Sequence, residues 1–163
     1  MKLGFVTYQI GHAWDIPTII EMCNSTGFTG VELRTTHAHG VETSLTSSQR
    51  EAVREQFHAG GVDIAGLGSA FEYHVNDAAE LRRNIDGTIQ YCKLAADLGC
   101  PGVKVRPNGF QTDEGIPEAQ TLEQIGKAVG ECAAAAADLG VEIRVEVHGR
   151  GTQEPRHMRT IMD

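Results

Sequence analysis

VEIRVEVHGRGTQEP, running from Val141 to Pro155, alternates Val141, Ile143, Val145 and Val147 with Glu142, Arg144, Glu146 and His148. A period of two marks a strand with unlike faces. One face is aliphatic throughout; the other carries two acids, an arginine and a histidine. A strand covered by helices on both sides would read as a continuous apolar run. The charged face therefore calls for a polar environment that the apolar face does not share.

The same alternation recurs upstream. GVELR (30–34) sets Glu32 and Arg34 among aliphatic neighbours, and GVKVR (102–106) does so with Lys104 and Arg106. LGFVTY (3–8) and VDIAGLG (62–68) complete five strand candidates. Helix signals fall between them. Asp15 can cap a helix with Pro17 in its first turn and Gly27 after its end. Thr46 with Gln49 makes a capping box for a helix reaching about Ala59. Asp77 with Glu80 opens a third helix that keeps Leu81, Ile85, Ile89, Cys92 and Ala96 on one face and stops at Gly99. Thr121 with Gln124 predicts the start of a fourth, closing at Gly140, and Thr152 to Pro155 the start of a fifth.

Strands alternating with helices imply a parallel sheet. An open doubly wound sheet would carry a glycine fingerprint after its first strand. Here QIGHAWDIP stands in that place, GLGSAF has Phe71 where a third glycine is required, and no Walker lysine motif occurs. In a barrel, one strand face packs on the helices while the other points inward, and the C-terminal strand ends build the active site. The expected fold is thus α/β of the (β/α)8 TIM-barrel type, a partial barrel of about five βα units in a single domain over 1–163.

Composition narrows the function classes. The 163 residues include 40% hydrophobic and 22% charged, with a net charge of -8. That balance weighs against nucleic-acid binding, and no apolar run reaches the roughly 18 residues of a membrane span. Cys23, Cys92, Cys100 and Cys132 form no CxxC pair, which predicts buried thiols in a reducing, cytoplasmic setting.

On a barrel, the polar residues near the strand ends share one rim. These are Tyr8, Gln9 and His12; Arg34, His37 and His39; Glu72 and His74; Lys104 and Arg106; Glu146 and His148. Carboxylates and imidazoles converging from several strands can hold a divalent metal and move protons. Arginines and a lysine suit an oxygen-rich ligand such as a sugar or its phosphate. Each residue also has a plainer reading. Glu146 can be ion-paired to Arg144 or Arg106, His148 can be a hydrogen-bonded structural residue, and TTHAHGVE can be a solvated loop. His58 and His157 read as surface residues. HExxH and GxSxG are absent.

GFTGVELR, GVDIAGLGS, LGCPGVKVRP and IRVEVHGRGTQEPRHMRTIMD, in this order, resemble the xylose-isomerase-like TIM barrels, the sugar phosphate isomerase/epimerase family. The resemblance covers essentially the whole chain and is most specific around the fifth strand. It implies that Glu146 is a ligand of a divalent metal (Mn, Mg, Zn or Co), with the other ligands on strands six to eight. It implies a sugar or sugar phosphate held by Arg34, His37, His74, Lys104, Arg106 and His148. It implies isomerisation or epimerisation by proton or hydride transfer between adjacent carbons. The second glutamate of the ketose epimerases, six positions after the ligand, is here Thr152.

Eight units of about 33 residues would need roughly 260, so the chain reads as the first five-eighths of a barrel. Incomplete metal ligation, an inactive fragment and self-association through open barrel edges are the corresponding expectations. The rivals are an apurinic-site endonuclease, disfavoured by the net charge, and a non-catalytic sugar-binding or interaction fragment.

Overall fold

A computed structural model describes residues 2–163. Its elements alternate without exception: β1 (Gly4–Val6), α1 (Ile16–Thr26), β2 (Gly30–Arg34), α2 (Ser47–Gly60), β3 (Asp63–Glu72), α3 (Ala78–Leu98), β4 (Gly102–Arg106), α4 (Glu118–Ala137), β5 (Glu142–Val145) and α5 (Pro155–Met162). A short 3-10 turn at Thr112–Glu114 precedes α4. The strands form one parallel sheet in the order β1-β2-β3-β4-β5. Sequence order and spatial order coincide, as in a partial (β/α) barrel.

Local chemistry fixes the helix ends. The Asp15 carboxylate accepts from the Thr18 amide, and the Asp77 carboxylate from the Glu80 amide. Thr46 and Gln49 close a reciprocal capping box. Gly27, Gly61 and Gly99 end the first three helices in the left-handed conformation that glycine adopts at least cost.

One expected helix start moves. α4 begins at Glu118 behind Pro117, so Thr121 and Gln124 lie within its first two turns. Tertiary contacts claim both side chains: Thr121 is buried, and Gln124 Nε2 donates to the Tyr73 and Val75 carbonyls at 2.7 and 2.9 Å. α5 starts at Pro155, within the expected Thr152–Pro155 stretch, with Glu154 at its N-cap. Thr152 is fully buried and donates its hydroxyl to the Asn108 carbonyl.

The sheet divides into two faces. Val31, Leu33, Leu67, Val103 and Val105 are at most 1% exposed. They join Ile19 and Cys23 of α1, Val53 and Phe57 of α2, Cys92, Leu94 and Ala95 of α3, and Ile125 and Cys132 of α4 in one core. All four cysteines are buried free thiols. Glu32, Arg34, Lys104 and Arg106 take the alternate, half-buried positions on the other face. A bulge after Val31 skips one residue of β3, bringing Gly66 opposite Glu32 and Gly68 opposite Arg34. Without that skip, the β3 glycines and aliphatic residues would exchange faces.

Candidate functional site

The inner face is built from long side chains crossing short ones. Gly68 pairs with both Arg34 of β2 and Lys104 of β4. A Cβ on Gly68 would stand 2.7 Å from Glu32 Oε1. Its absence lets the Glu32 carboxylate pass over β3 and reach the Lys104 ammonium on β4, at 2.7 Å. Gly102 makes the same allowance for Arg144, whose Nε would lie 2.6 Å from a Cβ there. The Arg144 guanidinium crosses β4 to donate to the Ala65 carbonyl of β3 at 2.7 Å.

Above this layer, Lys104 Nζ also meets Glu146 Oε2 at 3.4 Å. Glu146 follows the last residue of β5 and continues its ladder, its amide donating to the Val105 carbonyl at 2.9 Å. Arg106 Nη2 pairs with Glu72 Oε1 at 2.7 Å, while Asn108 Nδ2 donates to Glu72 Oε2 at 2.5 Å. The Arg34 guanidinium stacks 4.9 Å over the Tyr8 ring and has no carboxylate partner among the described residues. Pairing thus leaves Arg34 as the uncompensated cation of the group.

Arg34, Lys104, Arg106, Glu146 and His148 line one cavity of about 230 Å³, together with Val6, Tyr8 and Ser69. It lies at the C-terminal ends of the strands, where barrel enzymes keep their sites. Ser69 helps to shape its floor by donating to the Lys104 carbonyl at 2.6 Å. Three buried side-chain atoms, of which only Arg106 Nε belongs to a cavity-lining residue, have unmet hydrogen-bonding capacity: Glu32 Oε1, His74 Nδ1 and Arg106 Nε. For Glu32 Oε1, the contact with Lys104 has ion-pair distance without hydrogen-bond alignment, so it is a charge pair rather than a directed bond.

The other two sequence candidates stand apart. His74 lies outside the cavity lining, with Nδ1 at 3.9 Å from Glu72 Oε2. His37 belongs to a separate cluster under the loop after β2. Its Nδ1 is 3.0 Å from the buried Thr7 hydroxyl, which also accepts from the Arg34 amide. Burial, helped by the charge of Arg34 and by His12, holds the His37 imidazole below its ordinary pKa.

The solvated-loop reading of this segment fails at His39, which is 7% exposed. Its Nδ1 accepts from the Val41 amide at 3.0 Å, so Nε2 carries the proton donated to the Arg34 carbonyl at 2.9 Å. Burial keeps this ring neutral, its pKa lowered. Glu42 secures the same loop by accepting from the Thr36 amide, the Thr35 hydroxyl and the Tyr91 hydroxyl. His157 also departs from expectation. It is buried against Phe110 and its Nδ1 lies 2.9 Å from the Gly151 carbonyl, whereas His58 is exposed.

Glu32 and Asn108 enlarge the set read from sequence. The alternation in GVELR places Glu32 on the inner face, and its reach to Lys104 depends on the glycine opposite. Asn108, in the turn sequence RPNG, carries no comparable signal. Among the described residues, no three His, Cys, Asp or Glu side chains gather closely enough to hold a metal ion.

A family profile described as xylose isomerase-like TIM barrel matches residues 20–163. The chain belongs to this family. No curated protein matches it in sequence. Among solved structures, the IolI protein with a bound zinc atom superposes at TM-score 0.78 with 17% identity, covering 100% of this chain and 60% of that one. D-psicose 3-epimerase with D-tagatose from Clostridium cellulolyticum H10 gives 0.75 and 16%, covering 99% and 60%. The probable 3-DHS dehydratase AsbF from Bacillus anthracis gives 0.72 and 14%, covering 99% and 58%. The chain therefore spans about 60% of the length of these structures. At such identities the likeness establishes the fold. No helix among the described residues is long and apolar enough to cross a membrane.

Proposed function

We propose that the chain supplies one wall of a site that binds a small sugar or sugar phosphate for isomerisation or epimerisation. One observation carries this reading: Arg34, Lys104, Arg106, Glu146 and His148, drawn from three strands and their ends, line a single cavity at the C-terminal edge of the sheet. Three cations, a carboxylate and an imidazole offer both donors and acceptors, as a polyol requires. Arg34, lying over the Tyr8 ring without an acid partner, suits an anionic group such as a phosphate. Lys104 and Arg106 would donate to hydroxyl or carbonyl oxygens, and His148 stands exposed at the mouth. The epimerases and the zinc-bound IolI protein among the similar structures agree with this class of ligand and cofactor.

A divalent ion (Mn, Mg, Zn or Co), when bound, would polarise the oxygens of the reacting carbons. Residues 2–163 do not complete a site for it. Glu146 offers one carboxylate, and the ammonium of Lys104 stands beside that carboxylate. No proton-transfer step is assigned to these residues, and turnover by 1–163 alone is not expected. A cytoplasmic setting accords with four buried free thiols.

Calorimetric titration with matched phosphorylated and unphosphorylated ketoses tests the reading. Arg34→Ala should weaken binding of the phosphorylated sugar roughly tenfold, the scale of one charge-assisted contact, and leave the neutral sugar nearly unaffected. Arg106→Ala should weaken both. Indifference to both sugars, with nicking of abasic duplex DNA instead, would replace this reading by an endonuclease one.

A further inference from the structure

Lys104 occupies an unusual electrostatic position. Its ammonium touches two carboxylates that reach it from different strands, Glu32 from β2 at 2.7 Å and Glu146 from β5 at 3.4 Å. Its side chain is 21% exposed, and those of Glu32 and Glu146 are 22% and 39%. In such a half-buried setting, two like charges facing one space are stable only with a cation between them. β3 offers none at that point: the residue pairing with Lys104 is Gly68, and the next inward one is Gly66. Arg144 is engaged with Ala65 and Glu142, and Arg106 with Glu72.

We infer that the Lys104 ammonium is the built-in countercation of Glu32 and Glu146, and that it sets the cation preference of the pocket by competing with any divalent ion for Glu146. A divalent ion at Glu146 would bring a double positive charge against a fixed ammonium and would have to displace it. Where Lys104 stays, Glu146 is held by a cation that can itself face a ligand oxygen. Lys104 is in this sense a positioning and specificity residue. The inference rests on the charge pairing and not on the sugar reading, so the two can fail separately.

The test uses Mn²⁺ alone, with no sugar present. Paramagnetic resonance or calorimetry would compare the unaltered chain with Lys104→Met, Lys104→Gln and Lys104→Arg, each in a Glu146 and a Glu146→Gln background. The expected result is at least a tenfold gain in Mn²⁺ affinity for the neutral substitutions. The gain should be absent in Lys104→Arg and abolished by Glu146→Gln. Lys104→Gln keeps a hydrogen-bonding side chain and serves where Lys104→Met fails to fold. Unchanged or weaker Mn²⁺ binding in both neutral variants would overturn the inference. A gain that survives Glu146→Gln would overturn it equally, by placing the ion elsewhere.

Discussion

The two faces of one sheet follow different rules. Toward the helices, β2 and β4 present Val31, Leu33, Val103 and Val105, each at most 1% exposed and part of a continuous core. Toward the interior, the residues between them are Glu32, Arg34, Lys104 and Arg106, all half-buried and joined by charge. The outer face is close-packed, so each atom removed leaves a void. The inner face is less tightly covered, its long side chains crossing the space that Gly68 and Gly102 leave without a Cβ. Aliphatic packing is concentrated on one side of the strands and paired charge on the other. The backbone that separates them is shared.

The sharpest way to break this comparison is to truncate the outer face. Leu33→Ala should cost about 2–5 kcal/mol, through lost burial and a residual cavity, and urea denaturation would measure it. A loss below 1 kcal/mol would show that the helix-covered face is no better packed than the inner one.

A third region, the loop after β2, gives a pH effect. His39 is neutral in the fold, donating from Nε2 and accepting at Nδ1, and its pKa is lowered chiefly by burial. The unfolded chain binds the proton more readily. Stability should therefore be level above the ordinary histidine range and fall as pH drops through about 6.5 and below. Denaturation at pH 7.5, 6.5 and 5.5 with and without His39→Gln isolates the contribution. Equal pH dependence in both would remove His39 as its source.

Smaller effects should come from the inner face. Gly68→Ala places a Cβ 2.7 Å from Glu32 Oε1, the free end of a side chain that can move away. The cost should stay under about 1 kcal/mol, while the Glu32 carboxyl resonance shifts as its contact with Lys104 is pushed apart. A penalty of several kcal/mol would mean that the inner face is packed as rigidly as the core.

The smallest change in stability belongs to the sheet margin. β1 and β5 are the outermost strands of the sheet, and Val147 beside β5 is 64% exposed. Self-association through these edges, if it operates, should weaken in Val147→Lys with stability altered by no more than about 0.5 kcal/mol. Sedimentation velocity at several concentrations reads it. A chain that stays monomeric throughout would remove the edges as an association surface.

The sequence made the strand–helix alternation legible because its signals are local. Asp15, Thr46 and Asp77 cap the helices they precede, through side chains reaching amides three residues away. The period of two in GVELR, GVKVR and VEIRVEV likewise records which side of each strand is buried. The same logic misplaced the start of α4, because Thr121 and Gln124 answer to distant partners. Gln124 reaches across to Tyr73 and Val75, and no local pattern carries that information. His39 and His157 depart from a surface reading for a related reason: burial depends on what folds over a residue, here the chain near Val41 and Phe110.

By itself, the sequence determined that five strands would alternate with helices and that charged residues would share one face, since both follow from spacing along the chain. Tertiary structure alone decided which of those charges meet. Glu32, Lys104 and Glu146 are brought together by a bulge that shifts β3 by one residue and by the glycines that leave room above it. Arg34 is left without an acid for the same reason, since pairing is settled by reach across strands and not by neighbourhood in the chain. Periodicity fixes a side chain's direction, whereas register and the space between strands fix its partner.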